Sequence, residues 1–251
     1  MQNIIKQYLK EIKYFKVEII SIIALIFFSC FLYLLLDEKT IIRVAKEDGF
    51  YEWGTAIFFL FASILFFLSF IRTKALLLCL MAIVFFMGFG EEISWGQRLF
   101  NIKEPEFMNE INVQHEFNIH NIQVFNDQNF EGVKKTGLQR LLEINMWYRV
   151  FSVLYLIGVP VYFYHFEWRP IRKDKLRMPV PPVSIGIFFF ISWAVFYSLK
   201  YIFLPAGKSD AYYKTPIEIF EFISAFIYFL TSLYFYRNKD LFLARDFKQN
   251  L

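Results

Sequence analysis

The stretch KALLLCLMAIVFFMGFGEEISWGQR, Lys74 to Arg98, decides how the rest of the chain is read. It opens on a cation, stays apolar as far as Gly90, and then sets Glu91 and Glu92 side by side before Ser94, Trp95, Gly96, Gln97 and Arg98. At a rise of ~1.5 Å per residue, Glu91 falls roughly 26 Å along a helix counted from Lys74, near the edge of a ~30 Å hydrocarbon layer. The stretch therefore predicts a membrane-spanning helix with ionisable groups at its outer end. Such groups are costly at that depth, so several of them converging mark a site. Continued helical spacing puts Glu91, Trp95 and Arg98 on one face and Glu92 with Gly96 on another.

Further apolar segments of similar length lie at about 17–36, 53–72, 149–167, 183–203 and 216–236. A 251-residue chain that is 57% hydrophobic, with a mean hydropathy of +0.40, has no room beside them for a separate soluble domain. The expected fold is an all-α membrane protein with six transmembrane helices. An interfacial amphipathic helix over 1–16 precedes a single six-span domain over 17–251, which carries a long, partly ordered outer loop at 101–146.

The excess of basic residues, net +4, is distributed by side rather than gathered for nucleic acid. Lys6, Lys10, Lys13 and Lys16 precede the first span, Arg72 and Lys74 join the second to the third, and Arg169, Arg172, Lys173, Lys175 and Arg177 fill the fourth connection. Arg237, Lys239, Arg245 and Lys248 follow the last span. In a six-span arrangement all four groups share one side, so the positive-inside rule places both termini in the cytoplasm. The first span is too long for a signal-peptide core and no small-residue cleavage site follows Leu36, so it reads as a retained anchor. Cys30 and Cys79 sit at different depths, which argues against a disulfide.

The opposite side collects the polar residues. The connection at 37–52 is acidic, with Asp37, Glu38, Glu47, Asp48 and Glu52. Within the long loop, Asn112, Gln114, Glu116, Asn118 and His120 alternate with Ile111, Val113, His115, Phe117 and Ile119. Period two predicts an extended segment whose polar edge pairs Glu116 with His120, an imidazole beside a carboxylate suited to acid–base work or metal ligation. Asn121 ends the run and is a further candidate for the site. Adjacent Glu91 and Glu92 cannot both face lipid, and mutual repulsion suits one of them to a general acid. Glu52 faces the bundle from the second span, with Asp48 as helix cap. On the last span, Thr215-Pro216-Ile217-Glu218 reads as a capping box that explains Glu218. Glu221, one turn deeper, has no such explanation and is the better site candidate, with Lys200 placed to neutralise it. His165 reads as an interfacial aromatic, and Gly158 with Pro160 predicts a kink in the fourth span.

The stretches G-E-E-I-S-W-G-Q-R (Gly90 to Arg98) and N-x-Q-x-E-x-N-x-H-N (Asn112 to Asn121) resemble a pair found in uncharacterised multipass bacterial membrane proteins. In those, as here, an acidic E-D-G-x-x-E-W stretch (Glu47 to Trp53) precedes the second span. The resemblance covers about half the chain and implies a bacterial inner-membrane location, without an activity to carry over. A fainter likeness, through an acidic start to a span and short bundled helices, is to alkaline-ceramidase-type membrane hydrolases. That group holds zinc with several helix-borne histidines, which this chain lacks at its outer helix ends.

The expected function is binding or processing of a lipid or lipid-linked molecule at the outer leaflet. Glu91, Glu92, Glu116 and His120 would do the chemistry. Arg98, Gln97, Asn112, Gln114, Asn118, Asn121, Trp95, Glu52 and Glu221 would line the substrate site. A divalent metal, if one is used, would sit on His120 with Glu91, Glu92 or Glu116, although no H-E-x-x-H or C-x-x-C fixes its geometry. The expected partners are membrane lipids, and further copies of the chain or other membrane subunits, but no nucleic acid. Two other readings remain open: a channel or transporter with its pore between protomers, and a sensor or assembly subunit whose polar cluster only fixes the fold.

Overall fold

A computed structural model describes residues 11–103, 105–113, 116–166, 179–201 and 207–238, without the side chains at 107, 109 and 164–166. Among these residues the chain is all-helical, with two isolated β-bridges. In chain order we label α1 (Lys16–Leu35), α2 (Glu38–Ala45), α3 (Phe50–Thr73), α4 (Leu76–Glu92), α5 (Gln97–Phe100), α6 (Glu106–Asn109), α7 (Ile144–Val153), α8 (Val159–Phe166), α9 (Val183–Tyr201) and α10 (Asp210–Arg237). Five helical stretches are long and apolar enough to cross a membrane, and α4 with its bent continuation makes a sixth. The expected interfacial helix over 1–16 lies mostly outside the described residues. Of its described end, Glu11 is buried and accepts from the Ser184 backbone N–H at 2.5 Å, so this end caps α9.

α10 is the most buried span and forms the axis of the bundle. Small residues let its neighbours approach: a Cβ on Gly54 of α3 would fall 2.3 Å from the Phe222 ring. α3 and α4 are joined by a sharp turn at Lys74, which adopts left-handed φ of 58°. Ser63 of α3 then donates to the Ala82 carbonyl of α4 at 2.8 Å, and Phe66 stacks on Phe85 with ring centroids 5.5 Å apart. Phe85 in turn meets Tyr228 of α10 at 4.5 Å.

The kink foreseen at Gly158 and Pro160 is a π-helical turn, Leu154–Gly158, between α7 and α8. Proline lacks the N–H that an α-helix needs, and widening the preceding turn accommodates this. The π-turn is packed tightly: a Cβ on Gly186 of α9 would overlap the Leu156 carbonyl oxygen at 1.9 Å.

Contacts between helix ends sort the bundle into two poles. At one, Arg72 donates to Tyr236 and lies over its ring at 4.1 Å, Arg237 approaches Glu18 at 3.6 Å, and Tyr14 donates to Asn238 at 3.0 Å. At the other, Glu38 accepts from the Ser209 hydroxyl at 2.7 Å and meets Lys208 at 3.3 Å. The long loop closes this second pole and carries the polar cluster.

Candidate functional site

α4 stops at Glu92, against the expectation that one helix continues to Arg98. Ser94 and Trp95 take left-handed φ of 47° and 51°, Gly96 takes 82°, and the axis turns by 61° into α5. The cause is visible in the side chains. The Trp95 indole folds back over Gly90, where a Cβ would stand 2.7 Å from the ring, and its Nε1–H donates to Glu91 at 2.8 Å. A tryptophan that caps its own helix in this way cannot also extend it.

The bend returns Arg98 toward the bundle. Its guanidinium donates to Glu52 at 2.9 Å, to the Glu92 backbone carbonyl at 2.8 Å and to Glu116 at 3.5 Å, with Asp48 at 3.6 Å. Arg98 therefore has carboxylates for partners. Asp48, expected to cap α3, instead takes φ of 61°, and Gly49 occupies the cap position. The backbone N–H of Asp48 donates to the Glu52 carboxylate, so Glu52 performs the capping.

The segment 112–121 is not extended. Asn112 bridges to Ile122 and the Val113 N–H donates to the Asn121 carbonyl at 2.8 Å, so the two ends of the segment lie side by side. A lone extended segment with no neighbouring strand would leave its backbone unpaired, whereas asparagine side chains satisfy turn backbone directly. The alternation thus resolves into a knot around Glu116. Glu116 accepts from Ser94 at 3.1 Å, Asn118 at 2.8 Å and Asn121 at 3.4 Å, while Asn112 donates to the Glu116 and Asn118 carbonyls. The three asparagines are almost wholly buried. Burial holds the Glu116 carboxyl above the usual range, and the neighbouring Arg98 charge opposes this. Gln97 ties the knot to the bend by accepting from the Phe117 N–H. Gln114 and His115 lie outside the described residues, as does the side chain of His165.

His120 does not pair with Glu116. Its Nδ1 stands 3.0 Å from Glu91 Oε2, and its backbone N–H donates to the same oxygen at 3.0 Å. Lys135 braces the following turn from below, donating to the carbonyls of Gln123, Val124 and Asn126 at 2.5, 2.9 and 2.6 Å.

Three carboxylates remain without such ties. The side chains of Glu92, Glu218 and Glu221 act on one another electrostatically, keep part of their surface accessible, and have no hydrogen-bond or ion-pair partner among the described residues. Arg149 of α7 and His120 are the groups that act electrostatically on Glu221, in place of the expected Lys200. Beside them, within electrostatic reach of Glu92 and Glu221, the Tyr148 phenol oxygen is sealed from solvent.

Sequence reasoning missed Glu218, Arg149 and Tyr148. The capping-box reading of Glu218 fails because α10 begins a turn and a half earlier, at Asp210, where the Ser209 side chain caps it; Pro216 lies inside the helix. The spacing of Glu218 and Glu221, one helical turn apart on one face, was the available signal. Arg149 was legible too, as a cation at the start of the fourth apolar segment. Among the described residues, no group of three or more His, Cys, Asp or Glu side chains is arranged to hold a metal ion.

These features define an all-helical chain with five to six helices long and apolar enough to cross a membrane and a cluster of polar side chains at one pole. Compared with protein-family models, curated proteins and solved structures, the chain matches none.

Proposed function

We propose that the chain is a bacterial inner-membrane protein whose cleft binds or processes the polar head of a lipid or lipid-linked molecule at the outer leaflet. The observation that carries this reading is the contrast within the cluster. Glu52 and Glu116 are tied to Arg98, while Glu92, Glu218 and Glu221 are part-buried and untied at the end of the spans. Carboxylates at this depth are costly when unpaired, so groups left without partners are accounted for by a ligand that supplies them. The apolar surface around the pole supports a lipid rather than a water-soluble substrate: Phe100 is 76% exposed, Leu138 82% and Trp147 56%. A head group can enter the cleft while its tails stay in hydrocarbon. Both termini then lie in the cytoplasm, with the basic pole inward.

One part of the cluster fits a different role. The Arg98–Glu116 knot is self-satisfied and fixes the loop onto the bend, as in a structural reading of the whole cluster.

The two are separated by native mass spectrometry of protein extracted with its own lipids. Wild type retains lipid adducts, and Glu92→Gln and Glu221→Gln lose them while melting at the wild-type temperature. Unchanged adducts, or variants that unfold in detergent, overturn the binding reading.

A further inference from the structure

We propose that His120 is a general base presented to this cleft through its Nε2, and that Glu91 is a positioning residue rather than an acid or a base. The inference rests on the reading of the cleft as a substrate site but concerns a different pair of residues from those that would hold the ligand.

Glu91 has no capacity left for proton transfer. Oε1 accepts from the Trp95 indole at 2.8 Å, and Oε2 accepts from the His120 backbone N–H at 3.0 Å and faces Nδ1 at 3.0 Å. An ionised carboxylate only accepts, so the Nδ1 it faces carries the hydrogen, and the neutral ring then keeps its lone pair on Nε2. The ring is held at both ends of its own residue, by backbone and by imidazole, through a single oxygen. That is the arrangement by which a carboxylate fixes tautomer and orientation of a working histidine.

The imidazole is not sealed: 35% of its side chain is exposed, against 17% for Glu91. The ring also lies within electrostatic reach of Glu221, so a positive charge formed on it would be favoured by two carboxylates, Glu91 and Glu221. The Asn126 amide, which donates to the His120 carbonyl at 3.3 Å, completes the hold on its backbone. Nε2 has no hydrogen-bond partner among the described residues.

The chemistry this allows is proton abstraction from a water or a head-group hydroxyl. The O–H bond breaks, the proton passes to Nε2, and the electron pair stays on oxygen. That oxygen bonds to an ester centre of the bound molecule as the ester's own C–O or P–O bond breaks, and the departing oxygen takes the proton back from the ring. Glu91 stays ionised throughout.

Two measurements on the detergent-purified full chain test this, neither needing a substrate. Nitrogen-15 spectra of histidine-labelled protein are expected to show His120, assigned by its loss in His120→Gln, protonated at Nδ1 and bare at Nε2. Diethyl pyrocarbonate, which acylates a bare imidazole nitrogen, is expected to modify His120 readily, as read by peptide mapping. In Glu91→Gln the amide N–H faces the ring, and the modification rate should fall about tenfold or more, the scale on which removing an orienting carboxylate acts. A wild-type ring protonated at Nε2, or one that the reagent does not touch in folded protein, overturns the proposal even if Glu91→Gln fails to fold. Failure of lipid adducts alone would sink the binding reading and leave these two readouts unmoved.

Discussion

Glu116 holds its charge inside a pocket built from its own loop and the bend after α4, with Ser94, Asn118 and Asn121 donating to one oxygen and Arg98 to the other. Burial outweighs these favourable contacts and raises the carboxyl above its ordinary value. The consequence for stability has a definite sign. The folded state takes up this proton more readily than the unfolded chain, so folding gains stability as pH falls from above the raised value towards the ordinary one near 4.3, and levels off below it. Glu116→Gln removes that dependence. Melting temperatures of the two proteins between neutral pH and about pH 4.3 should show wild type improving relative to the variant on acidification. A wild type that instead loses ground would mean that the Arg98 pair dominates. Single residues also explain why the bend exists. Trp95 donates to Glu91, and only glycine at 90 leaves space for the ring.

At the scale of elements, the bent end of α4 and the asparagine-rich turn form one unit, since Ser94, Gln97 and Arg98 from the bend all bond to residues 116–118. The unit depends on glycine at two positions. Gly96 takes φ of 82°, and a Cβ there would also stand 3.1 Å from Phe100. Gly96→Ala and Gly90→Ala should each cost about 1–3 kcal/mol of stability, through strain in one case and overpacking in the other. Gly158→Ala, whose nearest neighbour would be 3.8 Å away, should cost less than either. Denaturation in detergent, with the three variants side by side, reads this ordering directly. Equal costs at all three sites would mean that the bend is not held by local geometry.

For the whole molecule, the two poles predict a sidedness. With Cys30 and Cys79 replaced by serine, Glu131→Cys in the loop should react with a membrane-impermeant maleimide added to intact cells. Lys13→Cys at the basic pole should react only after the cells are opened. Labelling in the reverse order would put the cleft in the cytoplasm and remove the outer-leaflet substrate. The apolar runs were legible in the sequence because a span needs only enough apolar residues in a row, which is a property of local composition, although the last helix begins six residues before its run. The same locality explains what went wrong in the loop. Period two at 111–120 described which residues are polar, but a strand requires a neighbour, and none is present among the described residues.

The sequence by itself determined the helical, membrane-type architecture, the end of the bundle where acids gather, and most of the residues in the polar cluster. Tertiary structure alone decided who partners whom: Arg98 with Glu52 and Glu116, His120 with Glu91, and Glu92, Glu218 and Glu221 left open. The physical reason is range. Burying an apolar run depends on the run, whereas pairing a charge depends on which distant group lies within about 3–4 Å, and here a 61° bend sets that.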